Sequence, residues 1–446
     1  MKNQPADISC GIRIAGRPEE KIEVAPFPDT LAAMPSRIPL LKARLLAGTG
    51  DRVKIGTPLY QDKKNEDIVF ASPGCGRITD IVYGPRRVIN EIVIKLDKSE
   101  EYETHPSYAG DELHRLDRQQ LVEILLKSGM WPLIRDIVFR CPADPGLIPA
   151  AIWVAADSQD PFHPHSGIYL RTDRDRHYFD TGLKALEKLC ETVFVAAAGS
   201  SLQGQQIEKY VTHRVRGSYP EEEPGVLHYR FKTEPSQNRA WFITGQDTML
   251  LGQFLETGVF PVRRTAAVAG PQINGKYVKT RTGAPVSVLE GKNTQAEGTR
   301  RVAGGLFRGY TVSQESYLGL YESALTLIKE SGKRELLGFM RPGWSKPTCS
   351  RTFLSALNPR PLPVDADMHG SKRACVNCGT CTRVCPVDIL PQFTYKCILA
   401  EEIEEALSHG LLDCLECGLC SYACPSKIEL TRTFQDTKQA YFRGRI

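Results

Sequence analysis

Long apolar runs are scarce in this sequence. The most apolar stretch, roughly Leu147 to Ala156, contains Pro149 and is too short to cross a bilayer, and Met1 to Gly16 is polar, without the hydrophobic core of a secretory signal. The expectation is a soluble chain, or one held at a membrane through a partner. Charge of one sign is also scarce. A net charge of +5 over 446 residues is mild, and no aromatics interleave with a basic patch, so nucleic acid is excluded as a partner. What remains is ordinary globular composition, 41% hydrophobic and 24% charged, in a length that suits about three domains of roughly 150 residues each.

Two functional loops are missing as well. Short β-rich runs punctuated by Gly and Pro fill Ile38 to Leu96, for example Val53-Lys54-Ile55-Gly56-Thr57-Pro58-Leu59 and Ile68-Val69-Phe70-Ala71-Ser72-Pro73-Gly74-Cys75-Gly76. They resemble the barrel-sandwich of lipoyl and biotinyl carrier domains. The hairpin that would present a modifiable lysine reads Asp62-Lys63-Lys64-Asn65-Glu66, however, and the carrier motif is absent. A structural β-domain is therefore expected.

Further on, Arg118 to Ser128 and Gly182 to Cys190 read as helices, and Ala151 to Ala156 and Thr192 to Ala197 as buried strands. This alternation implies an α/β layer. A Rossmann unit would need a glycine-rich turn that brings backbone N–H groups against phosphate. Gly199-Ser200-Ser201-Leu202-Gln203-Gly204 is only loosely similar and reads as a plain loop. Residues 261–330 form a small α+β module, with Tyr310 to Gly332 expected as a strand edge followed by a helix. Arg341 to Pro363, with five prolines, is a linker or long loop. Residues 1–30 are a polar, extended lead-in.

What the sequence has in quantity is cysteine, fourteen in all, eight of them in two tight groups. Cys375-x2-Cys378-x2-Cys381-x3-Cys385-Pro386 is repeated as Cys414-x2-Cys417-x2-Cys420-x3-Cys424-Pro425. This is the bacterial ferredoxin run, twice. Three cysteines spaced by two residues wrap one side of a 4Fe–4S cube, and in two-cluster proteins the fourth ligand comes from the other motif. The expected sets are Cys375, Cys378, Cys381 and Cys424 for one cluster, and Cys414, Cys417, Cys420 and Cys385 for the other.

Gly379 and Gly418 stand where a side chain would crowd the cube or the backbone beside it. Two zinc sites would also use eight thiolates, but zinc motifs pair cysteines as two CxxC knuckles, not three in series with a fourth before proline. Cys10, Cys75, Cys141, Cys190, Cys349 and Cys397 are expected to be ordinary packing residues. Between the motifs, Ile398 to Leu407 reads as one amphipathic helix with Leu399, Ile403, Ala406 and Leu407 on one face, ended by Gly410. A helical spacer points to a helical ferredoxin module, the electron-transfer arm of a larger oxidoreductase.

Several phrases resemble one family. They are Ile12-Arg13-Ile14-Ala15-Gly16-Arg17-Pro18, Asp62-Lys63-Lys64, Ser72-Pro73-Gly74-Cys75-Gly76, Gly270-Pro271-Gln272-Ile273, Thr280-Arg281-Thr282-Gly283-Ala284, Leu337-Gly338-Phe339-Met340-Arg341-Pro342-Gly343 and Asp367-Met368-His369-Gly370. Together they look like the NqrA family, the A-type subunits of the Na+-translocating NADH:quinone reductase, from about Ile12 to the C-terminus. They also resemble the related C-type subunits of the Rnf complex. The familiar A-type chain lacks the cluster cysteines, which this chain keeps, as the Rnf chain does.

The Rnf chain carries a glycine-rich loop for flavin and NADH. The matching stretch here, Lys127-Ser128-Gly129-Met130-Trp131-Pro132-Leu133-Ile134-Arg135, has one glycine, with Trp131 and Pro132 where backbone should meet phosphate. Neither FMN nor NADH is therefore expected to bind.

The resemblance implies an α+β / α/β multidomain chain. Its parts are an N-terminal lead-in (1–35), a lipoyl-like barrel-sandwich domain (36–110), a degenerate Rossmann-like domain (111–260), a β-grasp-like (SLBB) module (261–330), a helix end and linker (331–368), and a helical 4Fe–4S ferredoxin domain (369–446). It implies a peripheral electron-transfer subunit on the cytoplasmic side of the inner membrane, inactive alone. Partners would be the other subunits of the redox complex, with quinone as a further candidate. An Rnf-type exchange between ferredoxin and NAD is the alternative, against which the missing flavin loop argues. A purely structural subunit is the third reading, against which the retained cysteines argue.

Overall fold

The computed structural model describes residues 18–158, 160–198, 206–215, 219–271, 273–291, 298–330, 342–344, 353–358, 366 and 372–444. Cys10, Cys349, the 199–204 loop and most of 331–371 lie outside them.

Two small antiparallel sheets build the first unit. One orders Thr30–Ala33, Ile89–Leu96, Gly76–Tyr83 and Arg52–Val53, and the other Ala43–Leu45, Pro58–Asp62 and Val69–Ala71. The strands alternate. In Gly76–Tyr83, Ile78 is fully buried while Arg77 faces out, so Ile78, Ile94, Leu59 and Ile55 meet in the core. In the Asp62 to Asp67 hairpin, Lys64 Nζ lies 3.8 Å from the ring centroid of Phe442, in the last helix of the chain.

The second unit is a five-stranded sheet in the order His213–Val215, Val193–Ala198, Ile152–Ala155, Trp241–Thr244, Arg135–Asp136. All pairs are parallel except the last. Its helices start at side-chain caps: Asp117 and Thr172 in capping boxes, and Thr244 accepting from the Asp247 N–H. Helices Asp173–Leu189 and Gly245–Thr257 cross with their backbones touching. A Cβ on Gly182 would stand 2.0 Å from the Thr248 carbonyl oxygen, and one on Gly252 1.8 Å from that of Tyr178.

The third unit is a six-stranded sheet, ordered Pro18–Val24, Ile273–Arg281, Arg263–Gly270, Ala324–Lys329, Thr299–Ala303, Tyr310–Val312. It corrects two expectations. Pro18–Val24 is not a loose lead-in but an edge strand, parallel to Gly275 through Lys279. The segment after Tyr310–Val312 is a strand, not a helix. Ala324 through Ile328 are all buried, and a run buried on both faces carries no period that separates strand from helix.

The C-terminal unit is helical: Thr380–Arg383, Pro391–Leu399, Ile403–Ser408, Leu419–Tyr422 and Leu430–Phe442, around fully buried Ala406, Leu411 and Phe434. The single spacer helix expected over Ile398 to Leu407 is in fact two. The chain turns at Glu401 (φ 61°), and Leu399 is 64% exposed rather than on the buried face.

Candidate iron–sulfur site

The two cysteine runs fold alike. Each begins extended, passes a left-handed residue (Asn377, φ 55°; Glu416, φ 56°), then a left-handed glycine (Gly379, φ 71°; Gly418, φ 82°) that starts a one-turn helix carrying the third cysteine. A second left-handed residue follows the Cys-Pro pair (Asp388, φ 52°; Lys427, φ 57°). Gly379 is needed for its backbone angle, since a Cβ there would meet nothing within 4 Å. Gly418 is needed for both reasons, because a Cβ would stand 2.3 Å from the Phe307 carbonyl oxygen.

The helix after each run steadies its third cysteine. Gln392 Oε1 accepts from Cys381 Sγ at 3.3 Å and also from Thr382 Oγ1. Thr431 Oγ1 lies 3.5 Å from Cys420 Sγ and accepts from Ser421 Oγ at 2.9 Å.

Cys385 does not turn toward its own run. With Cys414, Cys417 and Cys420 it lines one small cavity, walled by Pro386, Val387, Ile389, Leu415 and Phe434. Burial pushes the Cys385 thiol up to about 12, with the nearby Cys417 adding to it. Burial also raises Cys414 to about 12, although Lys438 opposes it. Cys420 goes well up for the same reason, reinforced by Cys414, Cys417 and Cys385.

In the other set, burial raises the Cys381 thiol, and Cys378 and Cys424 both add to the rise. Cys378, at the surface, goes the other way: burial opposes the shift, but hydrogen bonding with Thr380 and the charge of Arg383 outweigh it. The structure thus brings Cys424 beside Cys381, and Cys385 beside Cys417 and Cys420.

Thiols so crowded and buried resist ionising unless a cation takes up the charge, as iron does. Four thiols in the ferredoxin spacing that share one cavity are a donor set that fits a cluster. Cys75, Cys141 and Cys190 lie elsewhere, and Cys397 packs half-buried against the core of this domain.

The inner run, Cys414 to Cys424, is wedged against the rest of the chain. Tyr219 Oη donates to the Cys417 carbonyl at 2.8 Å, and the Tyr219 ring stacks on Phe307 at 4.9 Å. Leu415 fills the space above Gly225, where a Cβ would be 2.3 Å away. Lys438, only 2% exposed, donates to the carbonyls of Val138 (2.6 Å) and Cys414 (2.9 Å) and pairs with Glu416 (2.9 Å). The outer run faces solvent, with Cys378 exposed and Val376 67% exposed. Sequence reasoning does not single out Tyr219, Glu223, Phe307, Arg308 or Lys438. Their roles exist only once the domains dock, and a buried cation leaves no local pattern.

A barrel-sandwich, an α/β domain and a two-run cysteine domain define an iron–sulfur protein of the multidomain redox type. Family models agree: residues 9–97 match the NqrA N-terminal barrel-sandwich hybrid domain, 116–260 the NqrA second alpha/beta domain, and 368–425 a 4Fe-4S dicluster domain. The chain belongs to the NqrA family, the A-type subunits of the Na+-translocating NADH-quinone reductase.

It is 31% identical over 406 residues to the NqrA chain of Yersinia pestis (90% of each chain), and 29% identical over 407 residues to that of Rhodopirellula baltica (90% of this chain, 89% of the relative). The likeness to a chain of an NAD+-reducing [NiFe]-hydrogenase is partial, with a TM-score of 0.37 and 12% identity over 77% of this chain and 65% of the other.

Proposed function

We infer that this chain is a peripheral electron-transfer subunit of a membrane-bound, Na+-translocating NADH:quinone oxidoreductase. It would hold two 4Fe–4S clusters, one on Cys375, Cys378, Cys381 and Cys424, the other on Cys414, Cys417, Cys420 and Cys385. The observation that carries this reading is the cavity in which Cys385 joins Cys414, Cys417 and Cys420. When bound, such a cluster takes up and returns one electron.

The chain's own residues do the rest. The thiolates fix the two positions side by side. Val387, Ile389, Leu415 and Phe434 keep water from the inner one. The exposed Cys378 leaves the outer one open to an electron-transfer partner. Among the described residues no helix is long and apolar enough to cross a membrane. We place the chain on the cytoplasmic side, attached through neighbouring subunits, with quinone as a further candidate partner. The domain limits, and the Rossmann-like and β-grasp-like character of units two and three, belong to the same proposal. Purification with its neighbours under mild detergent tests it. Recovery of the other reductase subunits is expected, and recovery alone under conditions that keep the complex intact would refute it.

FMN and NADH are not expected to bind this chain. The stretch that would hold their phosphates is packed instead. Trp131 is fully buried and its Nε1–H donates to the Ala143 carbonyl at 2.8 Å. The Pro132 carbonyl accepts from Tyr321 at 2.8 Å, and Gly129 lies against Ala71. Calorimetry on the isolated chain should show no heat of binding for either. Micromolar affinity would instead favour exchange between ferredoxin and NAD.

A further inference from the structure

Arg308 comes from the third unit yet ends beside the inner cysteine run. The preceding carbonyl, that of Phe307, presses on Gly418, and the Phe307 ring packs on Tyr219 (4.9 Å) and Tyr422 (5.3 Å). Tyr219 in turn holds the Cys417 carbonyl, and the Arg308 guanidinium lies 5.6 Å from the Tyr219 ring centroid. Only 20% of the Arg308 side chain is exposed. Its Nη1 pairs with Glu223 at 3.3 Å, while Nε and Nη2 are buried without a hydrogen-bond partner among the described residues.

Glu223, 5% exposed, is shared between Arg308 and Arg140, which approaches at 2.8 Å, so two cations face one carboxylate. The buried Asp160 lies near Arg308 as well, its carboxyl raised by burial against the pull of His163 and Arg308. Arg308 thus sits one residue from the carbonyl that abuts Gly418 and against the ring that holds the Cys417 carbonyl, which places its charge at the inner run.

A buried cluster that gains an electron gains negative charge where water is scarce, which lowers its reduction potential. A fixed cation and N–H groups aimed at sulfur act in the opposite direction. Among the described residues no buried cation of this kind serves the outer run, where Arg383 works at the solvent boundary.

We propose that Arg308 is a tuning residue that raises the reduction potential of the cluster held by Cys385, Cys414, Cys417 and Cys420. This rests on the cluster assignment above. Electrons arriving at the exposed outer cluster are then drawn inward despite the burial of the inner one.

The test is a redox titration of the anaerobically reconstituted full chain, followed by electron paramagnetic resonance, with the inner signal identified by its loss in Cys417→Ser. Arg308→Gln should lower the reduced-to-oxidised ratio of the inner cluster about tenfold at fixed potential, equal to about 59 mV for a one-electron couple, and leave the outer cluster unmoved. Glu223→Gln, which removes the opposing charge, should move the inner cluster the other way. A merely structural role would move both variants alike or not at all, and either result overturns the proposal. If Arg308→Gln fails to take up the inner cluster, the double variant Arg308→Gln/Glu223→Gln decides: an inner potential below that of Glu223→Gln alone supports the proposal, and one equal to it or above refutes it. A wild-type chain with no cluster would fail the functional reading too, whereas two clusters with unshifted potentials fail only this inference.

Discussion

Cys424→Ala is expected to strip the cluster held by Cys375, Cys378 and Cys381, and to leave the other spectroscopically intact at first. The reason is where the chain goes after each third cysteine. The Leu419–Tyr422 helix carries the backbone away from the inner cavity, so Cys424 comes near Cys381, while Cys385 reaches the inner cavity from the opposite run. In the proposed assignment each motif completes the other's set. Metal binding is coupled to folding, so losing one cluster should then loosen residues 372–444 as a whole. Two nearby reduced clusters couple magnetically. The variant's signal should therefore simplify to that of one isolated cluster. If Cys424→Ala instead removes the cluster of Cys414, Cys417 and Cys420, each run uses its own four cysteines and the crossed assignment is wrong.

Lys438→Met should cost about 3–5 kcal/mol of stability in the C-terminal unit, the range for deleting one partner of a buried ion pair. The side chain is 2% exposed and serves three acceptors at once: Glu416, the Cys414 carbonyl beside the inner cavity, and the Val138 carbonyl in the α/β unit. Methionine fills the volume but leaves all three without their cation, and each buried acceptor left unmade costs about 1–3 kcal/mol. Denaturant titration, read through the bleaching of iron–sulfur absorbance, measures the change. Lys396→Met is the control. Its ammonium reaches Asn377 across solvent at 3.3 Å, and its loss should fall within about 0.5 kcal/mol. A Lys438 variant as stable as the control would mean that the buried cation does not tie these units together.

What can be read from sequence is local. The cysteine spacing and the glycines at Gly379 and Gly418 follow from chemistry within a few residues of chain. At Gly379 the structure adds a further reason, a left-handed backbone that favours glycine. What cannot be read depends on distant partners. Pro18–Val24 looks like a polar lead-in because its sheet neighbours, Gly275 to Lys279, are supplied from far along the chain.

Ala324–Lys329 reads as helix because full burial erases the alternation that marks a strand. The spacer helix reads too long because an apolar residue, Leu399, falls at helical spacing while remaining exposed. Arg308 and Glu223 escape notice for a related reason. Single charged residues are usually surface residues, and only docking turns them into neighbours of a thiolate.

The iron content of the full chain decides the matter at its root. After anaerobic reconstitution, metal and acid-labile sulfide analysis should give about eight iron and about eight sulfide per chain, four of each for each set of four thiolates. Cys385, Cys414 and Cys420, whose thiols burial holds protonated in the absence of metal, should release their protons as the clusters form. Stoichiometric zinc with neither iron nor sulfide would instead make the C-terminal unit a structural metal domain and remove any electron-carrying role from this chain.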